Sequence, residues 1–408
     1  MSVRDKFARL GTDNAPGQEV RQKTDGLHDA MRGGAMRGGV LEGRPVDFSH
    51  GDVDAFTPTP GAFEAFAEGF ARGGAQAYTE YRGAAAIRED LAGKLAAFTG
   101  APVDAAEGMI LTPGTQGALF LAVAATVGRG DKVAIVQPDY FANRKLVEFF
   151  EGEILPVQLD YLKSEAEAGL DLGQLEDAFR QGARVFVFSN PNNPAGVVYS
   201  AAETGRIAAL ADRYGAVVIV DQLYSRLRYS GTAYTHLRAA GIGAANVITI
   251  MGPSKTESLS GFRLGVAFGA PALIDRMEKL QAIVSLRAPG YNQAVFATWF
   301  SEPDGWMEER IRLHQAIRDD LLRVLHAAGI AARSPQAGSY LFPRLPPLAV
   351  GPADFVRLLR LQAGVTVTPG TEFSPHCAAS VRLNFSQDHA AAVKAVERLA
   401  ALAARYAA

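Results

Sequence analysis

The stretch 250-IMGPSKTESLSGFRLG-265 places a single lysine, Lys255, where a short apolar run gives way to small residues, and Arg263 follows eight positions later. A partly buried lysine loses its proton readily and can then attack an aldehyde. An arginine presents a planar pair of donors that suits a bound anion. Because a lone lysine after a strand is most often a solvated surface residue, the role of Lys255 depends on what the chain places beside it.

Short apolar runs of the same kind alternate with helical stretches from about residue 85 onwards. They are too short for helices and apolar along their whole length, as strands are when both faces of a mainly parallel sheet are covered. The runs are KVAIVQP, EILPVQL, RVFVFSNP, AVVIVDQ, NVITIMG and LGVAFG. The alternation predicts an α/β domain with helices on both faces of the sheet, in which ligands bind at the carboxyl ends of the strands.

The pattern changes at about residue 302, where one long amphipathic helix is followed by short strands and helices. This arrangement predicts a second, smaller α+β domain. We therefore divide the chain into an N-terminal arm and the start of the small domain (residues 1–60), a large domain (61–300) and a C-terminal small domain (301–408). The first 45 residues are polar and glycine-rich, which indicates an arm with at most one helix.

Composition narrows the class of protein. Of 408 residues, 48% are hydrophobic and 21% charged, and the net charge of −2 gives no basic excess for nucleic acid or an anionic membrane. The single cysteine, Cys377, permits no intrachain disulfide and fits a reducing compartment. The start of the chain does not resemble a secretory signal, no run is long enough to span a membrane, and the histidines lack metal-ligand spacing. We expect a cytoplasmic enzyme without a metal, nucleic-acid or membrane partner.

Candidate ligand-binding residues follow the predicted strands. Each type has a functional and a structural explanation: a helix start can bind a phosphate or be a simple cap, an aromatic can stack on a flat ligand or pack, and a buried carboxylate can meet a ligand cation or a salt-bridge partner. These residues are Gly114, Thr115 and Gln116 after MILTP, Tyr140 after KVAIVQPD, Asn193 in SNPNNPAG, and Asp221 and Tyr224 in VVIVDQLY.

One ligand would use all of these groups if it had a phosphate, a flat ring, an acidic ring oxygen, a basic ring nitrogen and an aldehyde. Pyridoxal 5′-phosphate (PLP) has each of them. The chain resembles the class I/II aminotransferases among the fold-type I PLP enzymes through four motifs in order: SNPNNPAG, VVIVDQLY, SKTESLSGFRLG and SVRLNFS. The similarity runs from about Gly51 to Asn384, and it implies that residues 61–300 form a PLP-binding domain.

The resemblance implies a role for each matching residue. Lys255 would form the Schiff base with PLP and carry the proton, and Asp221 would pair with the pyridine nitrogen. The phenolate oxygen would accept from Asn193 and Tyr224, and Tyr140 would stack on the ring. The phosphate ligands would be Gly114, Thr115, Gln116, Ser254 and Arg263, with Tyr78 contributed to the neighbouring subunit of a homodimer that shares its active sites. On the substrate side, Arg382 would bind the α-carboxylate beside Gly51 and Asn193.

The implied reaction moves an amino group from an L-amino acid to a 2-oxo acid. Elimination, decarboxylation or oxidation of an amino acid on the same scaffold stays open, because proton handling decides between these reactions. A third possibility is a PLP-sensing regulator. It is disfavoured because such proteins carry a DNA-binding domain before the enzyme-like part, and no helix-turn-helix pattern precedes the motifs here.

Four residues depart from the family pattern or have no settled role. Gln222 replaces the usual glutamate after the pyridine aspartate. Glu257, two residues after Lys255, fits a solvated loop residue, a contact to a cationic substrate or a group that tunes the lysine. Arg287 could bind a second substrate carboxylate, and His50 could touch the substrate or lie on the surface. The substrate itself is left open.

Overall fold

The computed structural model describes residues 36–163 and 167–408. The predicted N-terminal arm falls largely on residues 1–35, outside the described residues. The apolar runs form one seven-stranded sheet, as expected. Its strands in chain order are β2 (Met109–Pro113), β3 (Lys132–Gln137), β4 (Glu153–Gln158), β5 (Val185–Ser189), β6 (Val217–Asp221), β7 (Val247–Met251) and β8 (Leu264–Gly269).

The sheet is mainly parallel. The spatial order is β2-β8-β7-β6-β5-β3-β4, and strands β3 to β7 run parallel to their neighbours among themselves. Only β8 runs against its two neighbours, β2 and β7. All residues of β5 and β7 are buried, because helices cover both faces of the sheet. The prediction of a large, mainly parallel sheet flanked by helices is confirmed.

The two faces of the sheet pack into different cores. In β5, Phe186 and Phe188 lie in one core while Val185 and Val187 lie in the other, which is the two-residue alternation of a strand. A large side chain buried this fully stabilises the fold by about 1.5–3 kcal/mol. The continuous apolar runs in the sequence thus reflect burial on both sides.

Helices connect the strands and complete the layers. Some carry clear local signals. The helix Ala201–Tyr214, for example, starts at a capping box between Ser200 and Glu203 and ends at Gly215, which has a left-handed backbone conformation. The α-helices of the described residues are α1 (Ala62–Ala71), α2 (Gly74–Ala77), α3 (Ala85–Thr99), α4 (Gly114–Thr126), α5 (Phe141–Phe149), α6 (Leu172–Arg180), α7 (Ala201–Tyr214), α8 (Pro271–Val284), α9 (Trp306–Ala327), α10 (Pro352–Ala363) and α11 (His389–Arg405). None of them is both long and apolar enough to span a membrane.

A further core lies outside the large sheet. The 22-residue α9 matches the long helix expected after residue 302, and it packs with α10 and α11 around a separate apolar cluster. Val46, Phe48 and Phe56 from the N-terminal side belong to the same cluster. Short strands complete it: β1 (Val46–Asp47) pairs with β10 (Val365–Thr366), and β12 (Val381–Asn384) lies between β9 (Tyr340–Leu341) and β11 (Thr368–Pro369). The predicted domain boundaries stay a prediction.

Candidate active site

A cavity of about 280 Å³ lies at the edge of the large sheet where β3, β5, β6 and β7 end. Residues of β9, β11 and β12 close it from the other side. The structure brings most of the predicted site residues together here. Those that line the cavity are Thr115, Gln116, Tyr140, Asn193, Asp221, Tyr224, Ser254, Lys255, Arg263 and Arg382.

Gly114 and Arg263 meet at the start of α4. Gly114 has a φ of +77°, which strains any other residue, and a Cβ atom at this position would lie 2.6 Å from Nη2 of Arg263, so a larger residue would displace the guanidinium. Arg263 is itself left-handed, with a φ of +52°. The guanidinium is thereby held beside the free N–H groups of the first turn of α4, which also includes Thr115. This combination of a helix start and an arginine suits an anion such as a phosphate.

Asp221 ends β6 as a partly buried carboxylate. Its Oδ1 accepts a hydrogen bond from the backbone N–H of Leu223 at 2.9 Å. Within residues 36–163 and 167–408, no lysine, arginine or histidine forms an ion pair with it. Burial raises the pKa of Asp221 to about 6, since desolvation disfavours the charged form. A cationic ligand group placed beside it would relieve that cost.

Asp139 stabilises the loop after β5 through hydrogen bonds. It was not among the predicted site residues. The buried Asp139 accepts hydrogen bonds from the backbone N–H of Ser189 at 2.9 Å and from the Ser189 hydroxyl. The Ser189 hydroxyl oxygen in turn accepts from the backbone N–H of Asn193 at 3.0 Å. Burial raises the pKa of Asp139 to about 8. Its sequence signal is a carboxylate two residues after an apolar strand.

Asn193 and Arg382 are joined directly. Arg382 donates through Nη1 to Oδ1 of Asn193 at 3.0 Å and through Nη2 to the carbonyl of Ser49 at 3.1 Å. Its Nε is buried and, in the described part of the chain, has no hydrogen-bond partner. A buried donor without a hydrogen bond is costly. A carboxylate oxygen beside this Nε would therefore be bound favourably. Because the amide oxygen of Asn193 is occupied, its NH₂ group is the part that can donate to a ligand.

Three tyrosines complete the cavity wall. Tyr140 donates its hydroxyl hydrogen to Oε1 of Gln116 at 2.9 Å, which links a predicted ring-stacking residue to a predicted phosphate ligand. The hydroxyl of Tyr224 lies 2.5 Å from that of Tyr340. Tyr340, in the run GSYLF, was not among the predicted site residues, although it also lines the cavity.

Gly51 and Tyr78 lie apart from this cavity. Gly51 lines an adjoining cavity of about 550 Å³, which shares Ser254, Lys255 and His50 with the first. Tyr78 is 80% exposed on the outside of the chain, and the guanidinium of Arg287 lies 5.2 Å from its ring centre. The predicted role of Tyr78 needs a second subunit and stays a prediction.

The interpretation of Glu257 as a solvated loop residue is wrong. Its side chain is only 1% exposed and pairs with Arg226, Nη1 to Oε1, at 2.5 Å. Arg226 also binds Glu302 at 2.7 Å, and Trp299 donates its indole N–H to Glu257 at 3.2 Å. Burial, which the Arg226 charge only partly offsets, raises the pKa of Glu257 to about 7. With a protein cation already bound, a contact from Glu257 to a cationic substrate has no support in this geometry.

Gln222 and Arg287 also lie outside the cavity. Gln222 is buried, and its Oε1 lies 2.9 Å from Nδ1 of His236. Arg287 lies between the rings of Tyr78 and Tyr81. The unusual residue next to Asp221 therefore serves local packing, whereas a carboxylate-binding role for Arg287 stays a prediction.

Comparison with known proteins gives concordant matches. The sequence profile of a family described as "Aminotransferase class I and II" matches residues 44–399. A crystal structure of an aspartate aminotransferase from Rhodobacter sphaeroides 2.4.1 is 70% identical, covers 100% of both chains and superposes with a TM-score of 0.94.

Two curated relatives are more distant. The LL-diaminopimelate aminotransferase of Nitratidesulfovibrio vulgaris is 28% identical over 359 residues, which is 88% of this chain and 91% of that one. The aspartate/prephenate aminotransferase of Thermus thermophilus is 28% identical over 368 residues, again 88% of this chain and 91% of the relative. The described fold, the cavity and these similarities point in the same direction.

Proposed function

The chain belongs to the class I and II aminotransferase family and is an aminotransferase of fold type I, and on that premise we propose how it holds PLP and moves an amino group from an L-amino acid to a 2-oxo acid. The observation that carries the proposal is the common cavity of Lys255, Asp221 and Arg263. An aldehyde, a pyridinium and a phosphate require a lysine amine, a carboxylate and an arginine at a helix start, and this carboxylate has no cationic partner in the described part of the chain.

The residues present fit PLP. The close approach of Gly114 and Arg263 leaves a cradle for the phosphate, to which Thr115 and Ser254 add donors. Asp221, lacking a cation among the described residues, would pair with the ring nitrogen, and Tyr140 would lie against the ring. The NH₂ group of Asn193 and the hydroxyl of Tyr224 would donate to the phenolic oxygen.

PLP, when bound, supplies an electron sink for the pair that is released when the Cα–H bond of an amino acid breaks. The chain supplies the handling of the proton and of the substrate. Nζ of Lys255 would hold the cofactor aldehyde and, once freed, would take the Cα proton and later return it. Asp221 would keep the ring nitrogen protonated. Arg382 would bind the α-carboxylate through its Nε, which has no partner among the described residues, and through its terminal nitrogens.

A homodimer is supported by an exposed apolar patch. Monomeric proteins seldom expose many large apolar side chains together. Phe70 contacts the ring of Tyr291, and the neighbouring Tyr78 contacts Arg287, so this surface runs from α1 to the segment after α8. Its exposed members are Phe63, Phe70, Tyr78, Tyr81, Ile283, Val284 and Leu286. A second copy on this patch would cover these residues, and Tyr78 would then be placed to serve the partner. Sedimentation of the purified protein tests the dimer directly.

The choice of substrate rests on the relatives. The R. sphaeroides protein, 70% identical, is called an aspartate aminotransferase, so L-aspartate is the amino donor that we propose, with 2-oxoglutarate as the first acceptor to test. A cytoplasmic location is the accompanying proposal, supported by the single cysteine, Cys377, which is free and buried.

A single-turnover experiment separates transamination from the alternative reactions. PLP-loaded protein is mixed with L-aspartate in the absence of an acceptor, and keto acid, ammonia and CO₂ are all measured. We expect about one equivalent of keto acid per site and no ammonia, followed by many turnovers once 2-oxoglutarate is added. Continuous release of ammonia or CO₂ without an acceptor would instead establish an elimination, oxidation or decarboxylation reaction.

A further inference from the structure

Tyr340 contacts two predicted site residues, Tyr224 and Arg382, that lie in different parts of the chain. It begins β9, is 4% exposed, and its hydroxyl lies 2.5 Å from the hydroxyl of Tyr224. The two rings meet edge to face with their centres 5.1 Å apart. On its other side, the guanidinium of Arg382 lies 4.2 Å from the centre of the Tyr340 ring. The ring therefore packs between the predicted cofactor side of the cavity and the predicted carboxylate site.

The charges around the pair decide which hydroxyl donates. Burial raises the pKa of Tyr340, but the positive charges of Arg382 and Lys255, together with the hydrogen bond to Tyr224, outweigh burial and the charge of Asp221, so its pKa lies below the ordinary value. Burial raises the pKa of Tyr224 well above the ordinary value.

Tyr140 also interacts with Tyr340, and burial raises the pKa of Tyr140 as well. The guanidinium of Arg382 lies 4.2 Å from the centre of the Tyr340 ring and favours loss of its proton, so Tyr340 is the more acidic phenol of the pair. In a neutral pair of hydroxyls, the more acidic O–H is the better donor, so Tyr340 donates to the oxygen of Tyr224. The hydrogen of Tyr224 is then free to point into the cavity.

We infer that Tyr340 is a positioning residue for the reaction: its hydroxyl donates to Tyr224 and thereby directs the Tyr224 hydrogen toward the phenolic oxygen of the cofactor. A hydroxyl that accepts one hydrogen bond also becomes a stronger donor in the next, because the two bonds polarise each other. The inference rests on the proposed function, since it needs PLP in the cavity. It assigns to Tyr340 a role beyond packing under Arg382.

The test is a double-mutant cycle read by absorbance. PLP-loaded wild type, Y340F, Y224F and Y224F/Y340F are titrated with alkali, and the midpoint of the colour change of the bound cofactor is recorded. Y340F keeps the ring and removes only the hydroxyl. We expect Y340F to raise the midpoint, because the bound cofactor becomes a roughly three- to tenfold weaker acid. This factor corresponds to the contribution of one net hydrogen bond. Y224F should raise it further, and adding Y340F to Y224F should change nothing.

A matched control and a second readout keep the outcomes distinct. Tyr161 has a similar hydroxyl pair, 2.6 Å from Ser380, and lines neither cavity, so Y161F should leave the midpoint unchanged. In cofactor-free protein, an alkaline titration followed by tyrosine absorbance should lose its earliest-ionising tyrosine in Y340F and not in Y161F.

Four results are decisive. An unchanged midpoint in Y340F, or an equal shift in the Y224F background, overturns the inference while the proposed function stands. A wild type without a PLP colour change contradicts the proposed function instead. In that case the cofactor-free titration still decides whether Tyr340 is the more acidic phenol, and retention of the early ionisation in Y340F overturns the inference.

Discussion

Nη2 of Arg263 lies 2.6 Å from the point where a Cβ atom of Gly114 would stand. A side chain at position 114 would therefore displace the guanidinium from the helix start, and the φ of +77° would strain it. We predict that G114A displaces the guanidinium and weakens PLP binding at least tenfold, measured by titration of cofactor-free protein. Pyridoxal, which lacks the phosphate, should lose much less affinity.

Gly93 provides the matched control for this substitution. It lies within α3, and a Cβ atom there would have no neighbour within 4 Å. G93A should leave PLP affinity unchanged and stabilise the protein by about 0.5–1 kcal/mol, because alanine restricts the unfolded chain and favours the helix. If G114A bound PLP as tightly as the wild type does, the result would show that the cradle does not bind the phosphate.

The carboxylate of Asp221 makes cofactor binding depend on pH. Its pKa of about 6 in the cofactor-free protein means that it is protonated, and unable to pair with a cation, at more acidic pH. PLP affinity of the wild type should therefore fall as the pH drops through 6. D221N should bind PLP weakly without this step and lose a hundredfold or more in turnover, the scale of a missing electrostatic group.

Asp221 should also cost stability in the cofactor-free protein. Its folded pKa is about 6 against an ordinary value of 3.8, so the folded state binds more protons than the unfolded chain between these values. Unfolding free energy must then fall as the pH rises through this window. Relative to D221N, the cofactor-free wild type should lose stability from about pH 4 to pH 6 in urea denaturation. A difference that stays constant over this range would contradict the shift.

Arg226 forms ion pairs with two buried carboxylates, Glu257 and Glu302, near the lysine loop. Replacing it by methionine leaves Glu257 and Glu302 uncompensated and should destabilise the protein by about 3–5 kcal/mol, the cost of breaking a buried ion pair. E257Q should cost clearly less, because Glu302 still pairs with Arg226. Urea denaturation of both variants measures the order, and E309Q, in an exposed pair with Arg312, is the surface control. A larger loss for E257Q than for R226M would contradict this account of the cluster.

Arg382 should determine substrate binding through its fork geometry. Lysine keeps the charge but cannot donate to Asn193 and to two carboxylate oxygens together. We expect R382K to lower kcat/KM by roughly ten- to hundredfold, the value of a hydrogen bond to a charged group, mostly through KM. Steady-state kinetics with L-aspartate measure it. An unchanged KM would place the α-carboxylate elsewhere.

Features of this molecule that depend on the local sequence could be predicted. Strands such as β5 and β7 are visible because burial on both faces leaves an unbroken apolar run. Asp221 and Lys255 could be found because the carboxyl ends of parallel strands share one edge of the sheet.

Contacts between distant segments could not be predicted. Tyr340 meets Tyr224 across 116 positions of the chain, and nothing local to either residue signals the pair. Glu257 looked solvated because its partners, Arg226 and Glu302, come from separate segments. Buried polar pairs of this kind are decided by tertiary packing, so the sequence shows their members and not their partners.

The central claim is that Lys255 is the covalent attachment point of the cofactor. PLP-loaded protein is reduced with borohydride, digested, and its peptides are analysed by mass spectrometry. We predict one phosphopyridoxyl group per chain, on the peptide that contains Lys255, and none on K255A treated in the same way. A stable label on another lysine, or full turnover by K255A, would contradict the account.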